Sequence, residues 1–254
     1  MTRFIVFANR KGGCGKTTTA VNVAHCLAMK KRKTLLIDLD PQAHSTISLG
    51  KNTHGQHTTS IVALLNGKKT LNDIIVPTNI DGLSLAPSSR DLISFEIEAS
   101  SRKGSENILS ENLSGTVNRF DFIVFDPPPT IGLLTVSALV AGREVYIPMP
   151  MHFLAMEGLA EMMRLIYTLN ATCNPDLRLC GVIPTFYNKN TRIAKEITKD
   201  ILKNFGKENL LPGIRMNVSL AEAPGHGKSV LEYAPNSAGA VDYTALTDSI
   251  INNI

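Results

Sequence analysis

No run of apolar residues approaches the roughly 18 that a bilayer-spanning helix needs, so membrane-spanning helices are not expected. The first residues, Met1-Thr2-Arg3, lead straight into a strand pattern, and no signal peptide is expected. Cysteine is sparse: Cys14, Cys26, Cys173 and Cys180 are scattered and form no C-x-x-C pair. That spacing argues against a disulfide framework or a close-pair zinc site, and for reduced thiols in a cytosolic protein. The charge imbalance is small, 26 Lys+Arg against 22 Asp+Glu, or +4. It is too small to argue for nucleic acid by itself, so the distribution of charge must decide. Neither an internal repeat nor a domain linker is visible. At 254 residues, 43% hydrophobic and 19% charged, the chain fits one large α/β domain over 1–254.

What the sequence does have is concentrated near its start, in Arg10-Lys11-Gly12-Gly13-Cys14-Gly15-Lys16-Thr17-Thr18-Thr19. An apolar strand, Phe4 to Ala8, precedes this stretch, and a helix pattern from Ala20 follows it. A strand, a Gly-rich turn and a helix in that order form a phosphate cradle, because glycines turn backbone N–H groups inward and the helix N-terminus adds partial positive charge. Lys16 supplies a point charge for β/γ-phosphates and Thr17 a hydroxyl for Mg²⁺. A flexible Gly-rich turn with two solvated lysines is the bland alternative, and the strand–loop–helix context argues against it.

Along the chain, Lys33 to Asp40 reads as a second strand ending in two carboxylates, stopped by Pro41. Gln42 to Thr59, rich in His, Ser, Thr and Gly, is predicted to be an exposed, mobile loop. Ser60 to Asn66 reads as a short amphipathic helix, and Leu71–Val76 and Leu83–Ala86 as extended pieces around an Asp81-Gly82 turn. Ser88 to Glu98 is a helix pattern with Leu92, Ile93 and Phe95 inward, and Ile108–Leu113 another helix. Phe120 to Asp126 is a nearly all-apolar strand with a terminal carboxylate, as expected of a parallel strand covered on both faces. Helices are expected over Leu133–Ala141, Leu154–Asn170, Arg192–Phe205 and Ala238–Ile254, and strands over Glu144–Pro148 and Leu177–Phe186. Strands alternating with helices imply a doubly wound, mostly parallel sheet with helices on both faces and ligands at the carboxyl ends of the strands.

Three features then converge at those ends: the Gly-rich loop, Asp38 with Asp40, and Asp126. A carboxylate after an apolar strand is the Walker B arrangement, which holds Mg²⁺ through water beside the loop hydroxyl. Asp126 fits it best, Asp38 adds an outer contact, and Asp40 is placed to position an attacking water. Helix capping or turn formation is the alternative for any single Asp.

The loop departs from G-x-x-x-x-G-K-[ST], since Arg10 stands where the first Gly belongs and a second lysine, Lys11, opens the turn. K-G-G-x-G-K-T-T is the deviant Walker A motif, and in it the sequence resembles the ParA/MinD family of P-loop ATPases. Asp38-Leu39-Asp40-Pro41-Gln42 resembles that family's D-x-D-P-Q switch, and Phe120 to Pro129 its D-F-I-[IV]-x-D-x-P-P segment, with Pro127 in the usual Cys/Thr position. Ala155 to Leu159 and Leu220 to Lys228 resemble two further family segments, in family order. The resemblance implies an ATPase using ATP and Mg²⁺, with Asp40 hydrolytic and Lys11, Gly12, Gly13, Cys14, Gly15, Lys16, Thr17, Thr18 and Arg215 around ATP. Thr17, Asp38 and Asp126 are implied around the metal. It also implies that Lys11 reaches across an ATP-bound homodimer to the partner's phosphates, catalytically alongside Lys16, and that Gly12 stays small so the two loops can approach.

Charge distribution then bears on what such a dimer holds. Arg192, Lys195, Lys199 and Lys203 form a stripe along one helix face, with Lys189 before it and Lys207 after it, beside an apolar stripe of Ile193, Ile197, Ile201 and Phe205. An ordinary solvated helix face is the alternative. The resemblance favours non-specific DNA binding by Lys189, Arg192, Lys195, Lys199, Lys203 and Lys228. Family arginine positions differ here, with Ser219 in place of one and Arg215 in place of a proline near the adenine. The MinD-type membrane helix is not expected, because 242–254 carries Asp242 and Asp248 and no Lys or Arg. A metal-cluster role would want paired cysteines, which are missing. The implied function is a cytoplasmic, nucleoid-associated ATPase that positions or segregates DNA, with hydrolysis stimulated by a ParB-like partner. The alternatives are a positioning ATPase for a protein cargo and a nucleotide-sensing regulator without hydrolysis.

Overall fold

The computed structural model describes residues 1–51, 59–113 and 119–252. Seven strands form one sheet in the order β3-β4-β2-β5-β1-β6-β7. They are β1 Arg3–Phe7, β2 Thr34–Asp38, β3 Val76–Pro77, β4 Leu83–Ala86, β5 Phe122–Asp126, β6 Glu144–Pro150 and β7 Arg178–Thr185. All neighbours are parallel except the short edge pair β3–β4. β1 lies between β5 and β6, where successive connections run to opposite sides, so the crevice for a ligand opens beyond its carboxyl end.

Strand alternation divides the core in two. Ile5, Phe7, Leu36, Val124, Tyr146 and Ile183 face one side. There they meet α1 (Lys16–Met29), α11 (Val230–Tyr233) and α12 (Ala238–Asn252). Val6, Leu35, Ile37, Ile123, Phe125, Val145 and Ile147 face the other. That side is covered by α3 (Ile61–Leu65), α4 (Leu71–Ile74), α5 (Leu92–Ala99), α6 (Ile108–Leu113), α7 (Leu133–Ala141), α8 (Phe153–Thr172) and α9 (Arg192–Phe205). Helices on both faces explain why β1, β2 and β5 are apolar without alternation.

Several expectations need correction. The stretch after Asp40 is not an exposed loop: α2 (His44–Ser48) forms in it, with Ser45, Thr46 and Ser48 buried. Ser45 and Thr46 are inside because buried carboxylates accept their hydrogen bonds, and Ser48 donates to the His44 carbonyl at 2.7 Å. Residues 52–58 of that expected loop lie outside the described residues, as do 253 and 254 of the expected C-terminal helix. Leu71–Val76 is helical over Leu71–Ile74, because Thr70 and Asp73 form a reciprocal capping box. The helix α3 is buried on all sides rather than amphipathic. Ile93 points outward from α5, whose inner face is Leu92, Phe95 and Ala99. A short helix, α10 (Val218–Glu222), and a 3₁₀ turn over Ala223–His226 follow the last strand.

Candidate functional site

The loop 10–15 leaves β1 and enters α1 through Gly13 at φ 70° and Gly15 at φ 89°, left-handed conformations that favour glycine. No side chain caps the N-terminus of α1, so its first N–H groups are open to an anion. Lys16 is buried, and its Nζ donates to the Lys11 carbonyl at 3.0 Å, with Cys14 Sγ at 3.9 Å. Its ammonium is thus folded into the turn. Burial raises the Cys14 thiol, with the Lys16 charge opposing. Lys11 lies outside the turn, its Nζ donating to the Leu154 carbonyl, while Arg10 pairs with Glu161 on α8. A Cβ at Gly12 would meet nothing within 4 Å, so nothing in this chain requires glycine there.

The loop has supports that the sequence reading missed. Asn9, 4% exposed, accepts from Lys11 N at 3.1 Å and donates to the Pro148 carbonyl at 2.7 Å, tying the turn to β6. Thr185, at the end of β7, donates to the Cys14 carbonyl at 2.9 Å. An Asn directly after a strand is a turn signal that was available in the sequence. Thr185 is 171 positions from its partner, and no local signal marks it.

Beside the loop stand the carboxylates. Asp38 and Asp126 are paired in register on β2 and β5, and both are fully buried. Asp38 Oδ1 accepts from Asp40 N at 3.1 Å. Its Oδ2 accepts from Thr46 N at 2.8 Å and Thr46 Oγ1 at 2.7 Å. Asp126 Oδ2 accepts from Ser45 Oγ at 2.8 Å, while Oδ1 has no partner among the described residues. Burial pushes Asp126 up to about 6, with Asp40 adding to it and the Ser45 hydroxyl, the nearby Thr17 hydroxyl and Lys16 opposing. Burial, and then Asp126, hold Asp38 well above the usual carboxylate range despite its three donors.

Asp40 is 8% exposed. Its Oδ1 accepts from Gln42 N at 2.9 Å, and its carbonyl from Ser88 Oγ at 2.6 Å. Ser88 N also donates to Thr46 Oγ1 at 3.1 Å, so the end of β4 locks the Asp38–Asp40 segment in place. Among the described residues Asp40 Oδ2 makes no hydrogen bond, which leaves it available to orient a water. No group of three or more His, Cys, Asp or Glu among the described residues is arranged to hold a metal. A hydroxyl and an unpaired buried carboxylate oxygen beside a phosphate cradle suit a hard cation that draws further ligands from phosphate and water. The donor set therefore fits Mg²⁺ with a nucleotide and does not fit a zinc or calcium cage.

The other sequence-derived residues lie apart. Arg215 is engaged by Asp242 on α12: its backbone N donates at 2.9 Å, Nε at 3.0 Å and Nη2 at 2.7 Å. The α9 stripe is exposed at Lys195, Lys199 and Lys203, none of which has an ion pair among the described residues. Arg192 is tied to Glu196 at 2.8 Å, a pairing the sequence reading did not anticipate. The buried stripe is Ala194, Ile197 and Ile201, with Ile193 40% exposed in place of the expected inward position. Lys189 and Lys228 are exposed as well.

Fold and site together define a P-loop nucleotide-binding protein with its Gly-rich loop at the sheet's switch point. A family model described as an AAA domain matches residues 2–179. The chain is 34% identical over 251 residues to the chromosome-partitioning ATPase Soj of Treponema pallidum, covering 99% of this chain and 98% of that protein. Among solved structures, cobyrinic acid a,c-diamide synthase from Mycobacterium smegmatis with bound ADP and magnesium superposes with a TM-score of 0.85 at 30% identity, covering 99% of this chain and 94% of that one. A plasmid partition protein from Borrelia burgdorferi bound to AMPPNP superposes with a TM-score of 0.86 at 25% identity, with each chain covered in full. The chain belongs to the ParA/Soj family of partition ATPases.

Proposed function

We propose that residues 1–254 act as one Mg²⁺-dependent ATPase domain that dimerises on ATP, binds DNA without sequence preference, and is stimulated by a ParB-like partner. The observation that carries this reading is the convergence of Lys16, Thr17, Asp38, Asp40 and Asp126 at one end of the sheet, with Asp126 Oδ1 buried and unpaired among the described residues. Residues 12–18 cradle the phosphates, and Lys16 exchanges its loop carbonyl for phosphate oxygens. Thr17, with Asp126 and Asp38 behind it, holds the cation, which when bound offsets phosphate charge. Asp40 Oδ2 orients the attacking water. Arg215 borders the adenine, kept in place by Asp242.

Support for the dimer comes from the outer rim of the loop. Among the described residues the Lys11 ammonium is bonded only to a backbone carbonyl of α8, so it is free to exchange that partner for an anion on a second copy. A Cβ at Gly12 would meet nothing within 4 Å among the described residues, which accords with a close approach from outside the chain. Dimerisation doubles the basic surface of Lys189, Arg192, Lys195, Lys199, Lys203 and Lys228, so ATP gates retention on the nucleoid. The test is a pair of variants followed by nucleotide titration and light scattering. Lys16→Ala abolishes ATP binding, and Asp40→Ala accumulates an ATP-bound dimer. A monomeric Asp40→Ala protein in saturating ATP would refute the scheme.

A further inference from the structure

Helix α2 is attached to the two carboxylates by polar bonds, and at its C-terminal end Leu49 is buried in the apolar core on the α1 side. Ser45 and Thr46 are fully buried and place three hydrogen bonds on Asp126 and Asp38. Ile47, the apolar residue of the helix, is 47% exposed. A five-residue helix has little stability of its own, so these tethers at one end and buried Leu49 at the other set its position.

The far end of α2 meets a second segment. Gly50, at φ 69°, lies against Gly227, at φ 63°. A Cβ at Gly227 would stand 2.8 Å from Gly50 Cα, and one at Gly50 would stand 3.2 Å from the Gly227 carbonyl oxygen. At its nearest approach the contact is backbone on backbone. Gly227 closes the 3₁₀ turn, its N donating to Pro224 O at 3.0 Å, and Lys228 N donates to Ala223 O at 3.2 Å. Beyond Lys228 the chain is fixed to α1, where His25 Nδ1 and Ser229 Oγ lie 2.5 Å apart and Val230 N donates to Asn22 Oδ1 at 2.9 Å.

We propose that α2 is a relay: Ser45 and Thr46 sense the Asp38–Asp126 pair, and the Gly50–Gly227 joint passes its state to residues 223–228. The inference rests on the nucleotide and DNA reading above and adds its regulation. Both Asp38 oxygens and one Asp126 oxygen are already committed as acceptors. A partner taken up at Asp126 Oδ1, unpaired among the described residues, draws on the same carboxylate that holds Ser45 through Oδ2 and stands in register with the one that holds Thr46. When α2 shifts, rigid backbone contact moves the turn that carries Lys228. Two discrete positions of one element, biased from both ends, are what coupling between separated sites requires. Ser45 and Thr46 are thus positioning residues.

The test uses the full chain and magnesium with AMPPNP, so that turnover does not intervene. Hydrogen exchange of amides 223–230 is measured with and without the nucleotide, and binding is measured in parallel by titration. The wild-type exchange rates there are expected to change about tenfold on binding. In the double variant Ser45→Ala/Thr46→Val the ratio of bound to free rates is expected to fall below about threefold while the nucleotide still binds. Loosened packing alone raises both rates and leaves that ratio unchanged. Gly227→Ala, strained and displaced from Gly50, is expected to do the same from the other end. Should it fail to fold, the Ser45/Thr46 result stands alone. A nucleotide-bound double variant with the full wild-type change overturns the relay, as does a wild-type chain that binds and shows no change at 223–230. A wild-type chain that does not bind the nucleotide overturns the ATP reading first and the relay with it.

Discussion

Asp38 and Asp126 stand opposite each other in register at the carboxyl ends of adjacent parallel strands, both fully buried. With Asp126 raised from 3.8 to about 6, the folded chain takes up a proton more readily than the unfolded chain. The cost of holding the carboxylate ionised is therefore present in full above about 6 and is relieved as pH falls through the folded value. Asp126→Asn removes this term. The stability of the wild type relative to Asp126→Asn, without magnesium or nucleotide, is expected to improve by up to about 3 kcal/mol as pH drops from about 7 to about 4. Denaturant titrations across that range check it. A difference that is flat, or that widens on acidification, contradicts the assignment.

Ala43 is a non-glycine residue at φ 55°, directly before α2. A left-handed L-residue carries a cost of about 1–2 kcal/mol, partly offset because glycine loses more entropy on folding. Ala43→Gly is expected to raise unfolding free energy by roughly 0.5–1 kcal/mol. Thermal melts decide it, and a lowered midpoint would mean that packing of the 4% exposed methyl outweighs the backbone.

Asn9 holds both the amide of Lys11 and the carbonyl of Pro148. Asn9→Ala leaves two buried backbone groups unpaired, so a loss of about 2 kcal/mol is expected. Nucleotide affinity is expected to fall roughly tenfold, because the free loop must now be ordered on binding. Unchanged affinity would show that α1 alone sets the loop's shape.

The cations of α9 are solvent-facing and, apart from Arg192, unpaired among the described residues. Lys195→Glu, Lys199→Glu and Lys203→Glu together are expected to abolish DNA retention while ATP-dependent dimerisation persists. Single replacements by Ala are expected to lower the salt slope of binding by about one each. Gel shifts across a salt series read both, and full retention by the triple variant at low salt would reject the stripe.

Local chemistry made much of this legible in advance. The spacing of Lys11, Gly12, Gly13, Gly15 and Lys16 between a strand and a helix identifies a phosphate loop wherever the rest of the chain goes. Apolar runs that end in Asp38 and Asp126 announce covered parallel strands. The bounds of helix α9 were readable to its last residue, because its charged positions recur every three to four residues, although Ala194 rather than Ile193 is buried. Where reading failed, the cause was in one case a partner outside the local segment and in another a local cap. Ser45 and Thr46 look like loop residues, since their composition matches solvent-exposed turns. Leu71–Val76 looked extended, yet Thr70 and Asp73 form a local capping box that turns Leu71–Ile74 into a helix.

By itself the sequence determined the loop, the strand-end carboxylates and the alternation that forces a covered parallel sheet, because each depends on neighbours a few positions away. Tertiary structure alone decided that Asp38 and Asp126 share one register. It also placed Asn9 on Pro148 and Thr185 on Cys14 to hold the loop, hung α2 from two carboxylates, and set Gly50 against Gly227. Those contacts join residues from 8 to 177 positions apart (Thr46 to Asp38, Gly50 to Gly227), and only closing the sheet brings most of them within bonding distance.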